Sequence, residues 1–175
     1  MTHTLTTRLN DVDIEAVGAL IGAIGADPDC ASTTWRAEVT WKRAFRSEAS
    51  IREFAPIPSD EPPALGGDDT APNPVEQLLA AFGNCLAVGY AALATASDIA
   101  IHELSIALEG DLDLHPFLGL KAGHAGFHDI RAAVRLVSDA ADAEIEELHD
   151  RVTTTSPVGH TLQAAVPVNV HLATK

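Results

Sequence analysis

The chain has 175 residues, which is enough for one domain with a hydrophobic core and short for two. Its 25 Asp and Glu residues outnumber 11 Lys and Arg, and the formal net charge of -14 repels nucleic acid and anionic membranes. The 2 cysteines exclude a secreted disulfide scaffold, and the N-terminus lacks the apolar segment of a signal peptide. We therefore expect residues 1–175 to form a single cytoplasmic domain that binds neither nucleic acid nor a membrane.

The first predicted element is an amphipathic helix within residues 1–28, which Asn10 or Asp11 can cap. Its apolar stripe has to be buried against another surface. Residues 35–54 then alternate large apolar and polar side chains, a pattern that predicts strands separated by turns. Residues 55–74 are rich in proline and glycine, so they are predicted to form a long loop.

A long central helix is predicted after this loop, because Asn73 can cap it with Pro74 at its first position. Residues 78–97 carry no charge, which satisfies the length criterion for a membrane span. Their alanines, glycines and polar side chains make the segment only modestly hydrophobic, and this favours a buried central helix.

The rest of the chain predicts three strands and one helix. Residues 104–114 and 130–136 alternate apolar and polar side chains, and a glycine-rich loop separates them. An acidic helix capped by Ser138 or Asp139 follows, and residues 166–172 end the pattern as a strand. The order of helices and strands predicts an α+β fold.

Cys85 lies in the predicted central helix among Ala, Gly, Leu and Phe. A reactive thiol must ionise readily, which requires a nearby cation, helix N-terminus or hydrogen-bond donor. Its helical neighbours are apolar, so the spacing alone favours an inert, buried cysteine. A break in the helix at Gly83 would place Cys85 nearer to a helix start.

Two features of the sequence could place charge near Cys85. A cluster of basic residues precedes the long loop, and it either covers a solvated strand face or supplies an arginine to the thiol. The cluster consists of Arg36, Lys42, Arg43, Arg46 and Arg52. Glu76 is typical of a helix N-terminus, and on an ideal helix it lies about 180° around from Cys85.

No cofactor and no metal are expected. His124 and His128 are spaced like a zinc half-site, but the glycines between and beside them argue against the helix that would align them. The sequence also lacks a phosphate-binding loop, a dinucleotide fingerprint and the serine motif of hydrolases. Cys85 is therefore the remaining candidate for chemistry.

Three stretches resemble the OsmC and organic hydroperoxide resistance family: "LGGDDTAPNPVEQLLAAFGNCLAVGY", "ALEGDLDLHPFLGL" and "TTTSPVGHTLQAAVPVNV". The resemblance extends from about Trp35 to Leu172. It implies an α+β fold with antiparallel sheets, in which two chains interlock as a homodimer around long central helices. The active sites of such a homodimer lie between the subunits.

The resemblance also implies an oxidoreductase with peroxiredoxin activity, an antioxidant protein of the stress response. Cys85 occupies the position of the peroxidatic thiol, which reduces an organic hydroperoxide. Glu76 corresponds to the assisting glutamate, and the assisting arginine is either Arg43 or Arg46.

The chain departs from the family pattern at Ser156, which stands where the peroxidases have a second, resolving cysteine before a proline. Serine cannot form the disulfide that completes the usual cycle. An external thiol could reduce Cys85 instead, Cys30 could replace the missing cysteine, or the protein could have left peroxide chemistry.

The last of these alternatives predicts a dimeric binding protein without enzymatic activity. Its apolar cleft around Cys85, formed by Phe82, Phe117 and Leu118, would hold a small hydrophobic ligand. In the enzyme, the same three side chains would contact the hydroperoxide.

Overall fold

The computed structural model describes residues 8–173, which combine helices with antiparallel sheets. These residues divide into two compact units, which we call the arginine unit, residues 13–80, and the cysteine unit, residues 8–12 and 81–173. The helices are α1 Ile14–Ala26, α2 Pro74–Ala96, α3 Leu114–Phe117, α4 Asp142–Thr155 and α5 Pro157–Gln163. The strands are β1 Glu38–Arg43, β2 Arg46–Ser50, β3 Ile57–Ser59, β4 Glu103–Leu112 and β5 Phe127–Val137.

The arginine unit contains a three-stranded antiparallel sheet in the order β1, β2, β3. A tight turn joins β1 to β2, with Ala44 in the left-handed region at φ 47° and the Trp41 indole donating to the Ala44 carbonyl. Strand β3 lies inside residues 55–74, which were predicted to form only a loop. That prediction missed the strand because Pro56 and Pro58 surround Ile57 in a segment with the composition of a loop.

Helix α1 exists as predicted, but its predicted cap is wrong. Asp13 caps the helix, with its Oδ1 accepting from the Ala16 N–H at 3.1 Å. Asn10 instead extends its side chain to the segment after α2, where it donates to the Ile99 carbonyl and accepts from the Ile101 N–H. Within residues 8–173 the apolar stripe of α1 is not buried, and no residue of the helix is.

Helix α2 begins where the sequence predicts. The Oδ1 of Asn73 accepts from the Glu76 N–H at 2.9 Å, while the Asn73 N–H donates to Glu76 Oε2 at 2.8 Å. This reciprocal pair is a capping box. The helix continues unbroken through Gly83, so the break considered there does not occur. Gly83 serves close packing instead, since a Cβ at this position would lie 2.7 Å from Leu108 Cδ1.

Among the helices of residues 8–173, α2 is the one long and apolar enough to cross a membrane by length and composition. One face of this helix is buried and packs in the core of the cysteine unit. The buried apolar residues of that core are Leu86, Tyr90, Ala94, Ile99, Leu148 and Val152.

The hairpin of β4 and β5 covers this core. The two strands pair antiparallel from Glu103 opposite Val137 to Leu112 opposite Phe127. Leu104, Ile106, Val134 and Leu136 from the same strands pack against the core. Their alternation with exposed residues confirms the predicted strand pair with one solvated face.

Helix α4 starts at Asp142, so the caps predicted at Ser138 and Asp139 are wrong. Glu144 satisfies the first turn by accepting from the Ala141 N–H at 2.9 Å. The next helix, α5, was not predicted, although Ser156 followed by Pro157 is a helix-start signal.

The strand predicted for residues 166–172 does not form in this chain. A strand needs a neighbour for its backbone hydrogen bonds, and none of the described strands pairs with this segment. Its alternating apolar side chains are exposed, with Val168 at 78% and Val170 at 89%. The alternation is present in the sequence, but within residues 8–173 no strand pairs with this segment.

Candidate active site around Cys85

Cys85 lies on α2 in the cysteine unit, where its side chain is half-buried and its thiol is free. Its Sγ atom lies 3.2 Å from the Oγ atom of Ser156, 71 residues further along the chain. This is within hydrogen-bond distance, and either atom can donate. The neighbours of Cys85 in the sequence are apolar, but the fold brings a polar side chain from a distant segment to its thiol.

Ser156 is held in place by the start of α5. Its Oγ atom accepts from the Gly159 N–H at 3.1 Å, which makes it the cap of this helix, and only 4% of the residue is exposed. Gly159 favours this close approach, because a Cβ there would lie 3.1 Å from Ser156 Oγ and 3.2 Å from Phe82 Cε2 and would push these neighbours by a few tenths of an ångström. The position of Ser156 is thus fixed on two sides.

A cavity of about 310 Å³ is lined in part by Phe82 and Gly159, whereas Cys85 and Ser156 do not line it. Its apolar lining comes from Phe82, Phe127, Ile130 and Leu162, and its polar lining from His128, Asp129 and Gln163. Phe117 and Leu118 do not line it, and both are more than half exposed. Of the three residues predicted to contact a substrate or ligand, only Phe82 borders this cavity.

A larger cavity of about 480 Å³ opens between α2, β5 and α4 in the same unit. Tyr90 and His149 line it, and the Tyr90 hydroxyl is hydrogen-bonded to His149 Nδ1. Burial raises the pKa of Tyr90. In the residues that the structure describes, no three His, Cys, Asp or Glu side chains gather as a metal site requires.

The predicted assisting residues belong to the arginine unit. Arg46 forms ion pairs with Asp68, at 2.5 Å, and with Asp60, at 3.6 Å. Arg43 is exposed at the end of β1 and has no ion pair among residues 8–173. Glu76 is engaged in the capping box at the start of α2.

Sequence reasoning missed Asp60, an ion-pair partner of Arg46 that is only 1% exposed. Its carboxylate accepts from the Thr70 hydroxyl at 2.8 Å, and from the N–H groups of Thr70 and Glu61. The hydrogen bond from the Thr70 side chain lowers the pKa of Asp60 to about 2, against the opposing effect of burial. No local signal in the proline-rich loop distinguished this carboxylate from its acidic neighbours.

The family model described as OsmC-like protein matches residues 66–171. No curated protein matches the chain. Among solved structures, an OsmC-like protein from Mycoplasma pneumoniae has a TM-score of 0.65 and 22% sequence identity, over 75% of this chain and 89% of that chain. An organic hydroperoxide resistance protein, OsmC, from Legionella pneumophila has a TM-score of 0.56 and 16% identity, over 75% and 92% of the two chains. These similarities confirm the predicted α+β fold.

Proposed function

Because the chain belongs to the family of OsmC-like proteins, we propose that it is a stress-related redox protein that reduces organic hydroperoxides with a thiol. Cys85 is the peroxidatic thiol, and an external thiol regenerates it. The observation that carries this proposal is a free, half-buried Cys85 inside the matched region, with a polar partner at its Sγ atom.

The reaction at Cys85 is a two-electron oxidation of the sulfur by the hydroperoxide. The thiolate attacks the distal oxygen of the hydroperoxide, so that an S–O bond forms and the O–O bond breaks. Sulfur loses two electrons and the peroxide gains them, and the leaving alkoxide takes up the proton that the thiol had released. The products are an alcohol and a sulfenic acid on Cys85.

An external thiol completes the cycle in two steps. The first thiol condenses with the sulfenic acid to give water and a mixed disulfide, and a second thiol then displaces Cys85. Ser156 cannot take the first role, because a hydroxyl forms no disulfide. Cys30 lies in the arginine unit, on an exposed turn after α1, and we assign it no part in the cycle.

Glu76 and either Arg43 or Arg46 are proposed to assist Cys85, as the family resemblance implies. Arg46 already shares its charge with Asp60 and Asp68, whereas Arg43 has no ion pair within residues 8–173. Alanine variants of the two arginines would separate them, because only the assisting arginine should lower the rate of peroxide consumption when it is removed.

We further propose that the protein is a cytoplasmic homodimer. Large apolar side chains that are exposed in each unit support this assembly, because an interface would remove them from water. They include Trp35, Val39 and Trp41 in the arginine unit and Val168 and Val170 in the cysteine unit. Analytical ultracentrifugation should find a dimer for the native protein and a monomer after Val168→Asp combined with Val170→Asp.

The decisive experiment measures turnover of cumene hydroperoxide with a dithiol or a monothiol as reductant. Consumption should require Cys85, so that Cys85→Ser abolishes it, while Cys30→Ser serves as the matched control and leaves it unchanged. Monothiols should support turnover, since no second cysteine takes part. Absence of Cys85-dependent consumption with either reductant would contradict the enzyme and leave the binding protein, whose ligand would enter the cavity beside Phe82.

A further inference from the structure

The proposed reaction cycle does not use the hydrogen bond between Cys85 and Ser156. In that cycle Ser156 matters only because it replaces the resolving cysteine. Yet the serine is almost completely buried, and its Oγ atom lies at 3.2 Å from the sulfur that reacts. The hydroxyl is therefore positioned to act on the sulfur.

Within residues 8–173, the Ser156 hydroxyl has one hydrogen-bond partner to which it can donate its proton. A hydroxyl group has one proton to donate and two lone pairs that accept. The Gly159 N–H occupies one lone pair at 3.1 Å, and this bond does not use the proton. In the chain from residue 8 to residue 173, the other hydrogen-bond partner of Ser156 Oγ is Cys85 Sγ. The hydroxyl proton is therefore available to the sulfur.

Ionisation of Cys85 fixes the direction of this hydrogen bond. While the thiol is neutral, either group can donate. Once the thiol has lost its proton, only the hydroxyl can donate, and a hydrogen bond to a charged acceptor is stronger than a neutral one. The 4% exposure of Ser156 leaves little room for water to compete. The contact therefore supplies a hydrogen-bond donor to the sulfur once it is ionised.

We infer that Ser156 is a catalytic residue that donates its hydroxyl proton in a hydrogen bond to the Cys85 thiolate. The serine at the second-cysteine position thus acts before the peroxide is attacked, whereas a resolving cysteine acts afterwards. This inference deepens the proposed function and rests on it for its catalytic meaning. It also fits the requirement for an external thiol, because the same hydroxyl cannot condense with the sulfenic acid.

The test is the rate at which iodoacetamide alkylates Cys85 at neutral pH, measured in a Cys30→Ser background, together with the ultraviolet absorbance of the thiolate. Ser156→Ala should slow alkylation about tenfold and lower the absorbance, because a hydrogen bond to a charged group is lost. Ser156→Thr keeps a hydroxyl, and its rate should stay within about twofold of the parent protein. Ser156→Gly removes the hydroxyl but costs a helix start little, so it replaces the alanine variant if that one fails to fold.

Two results would overturn the inference. One is a folded Ala or Gly variant that is alkylated as fast as the parent protein. The other is a Thr variant that is slowed as much as the Ala variant while its fold is intact. The proposed function has a separate readout: if the serine variants behave as expected but Cys85 consumes no hydroperoxide, the reductase is wrong and the hydrogen bond stands. If hydroperoxide consumption requires Cys85 but the alkylation rate is the same in the Ser156 variants, the proposed reductase is supported and the role of Ser156 is wrong.

Discussion

The two units of the molecule bury opposite kinds of residue. The cysteine unit has an apolar core built around Tyr90 and Leu148, in which Ser156 is a buried polar residue. In residues 13–80, which form the arginine unit, the only buried residue is the carboxylate of Asp60. One unit is thus organised by the burial of apolar surface, and the other by hydrogen bonds and ion pairs to a single charge.

The two units also differ in whether their buried or half-buried polar residue can still form hydrogen bonds with a substrate. Asp60 in the arginine unit cannot, whereas Cys85 in the cysteine unit can. Asp60 accepts three hydrogen bonds and also lies within ion-pair distance of Arg46, so its bonding capacity is used within the fold. Among residues 8–173, Cys85 has one hydrogen-bond partner, the neutral hydroxyl of Ser156. A reagent has to keep part of its reactivity for a substrate, and the pair in the cysteine unit meets that condition.

The largest effect is expected from Ser156→Cys, which places two thiols 71 residues apart in contact within the cysteine unit. Oxidation by hydroperoxide should join them in a disulfide, which mass spectrometry would detect as the loss of two hydrogens. The oxidised variant should gain up to about 4 kcal/mol in free energy of unfolding, because a long loop is closed. Urea unfolding with and without a reductant measures this gain, and failure of the disulfide to form would contradict the side-chain geometry at α2 and α5.

Leu148→Ala should destabilise the protein by about 3 kcal/mol, because it opens a cavity in the apolar core. Leu148 is 2% exposed, whereas Leu120 of the same unit is 71% exposed and offers a matched control. Leu120→Ala should change the free energy of unfolding by less than about 0.5 kcal/mol. Equal effects in chemical denaturation would show that apolar burial does not organise the cysteine unit.

Acid should act on the arginine unit through Asp60. Its pKa is lowered from 3.8 to about 2 in the folded protein, so its contribution to stability is fully present above about pH 4. That contribution is lost as the pH falls from there to about 2. Amide NMR signals of β2 should therefore disperse less in this range while those of α4 persist. Thr70→Val, which removes the hydroxyl donor, should move the loss to higher pH, and an unchanged midpoint would contradict the assignment.

The smallest effect is expected from an exposed ion pair of the arginine unit. Lys42 Nζ lies 2.9 Å from Glu48 Oε2, and both side chains are about half exposed. Lys42→Ala should lower the free energy of unfolding by less than about 1 kcal/mol, and added salt should remove even that difference. A larger loss would mean that charge pairs stabilise this unit whether or not they are buried.

Local signals in the sequence predicted local structure well. The start of α2 was predicted correctly, because its signals lie within four residues: Pro74 follows Asn73, and Asn73 and Glu76 are hydrogen-bonded to each other. Asn10 was misjudged as a helix cap, since a short polar side chain before an apolar run has the same signature whether it caps a helix or bonds elsewhere.

Non-local structure was beyond local reasoning. Spacing could not show that Ser156 contacts Cys85, because only the folded chain joins residues 71 positions apart. The family resemblance identified Ser156 as a position of interest, and the structure supplied its hydrogen bonds. The alternating pattern of residues 166–172 predicted a strand that has no neighbouring strand in the described part of the chain, and periodicity cannot reveal whether a neighbour exists.

The hydrogen bonds of the Asn10 side chain join the two ends of a long stretch of chain. It is satisfied by Thr95, Ile99 and Ile101, up to 91 residues later. The arginine unit is a continuous stretch between Asn10 and these partners, so all of it is synthesised before the two acceptors and the one donor that satisfy Asn10. The contacts of Asn10 also close a long loop of chain, and the entropy cost of that closure opposes them.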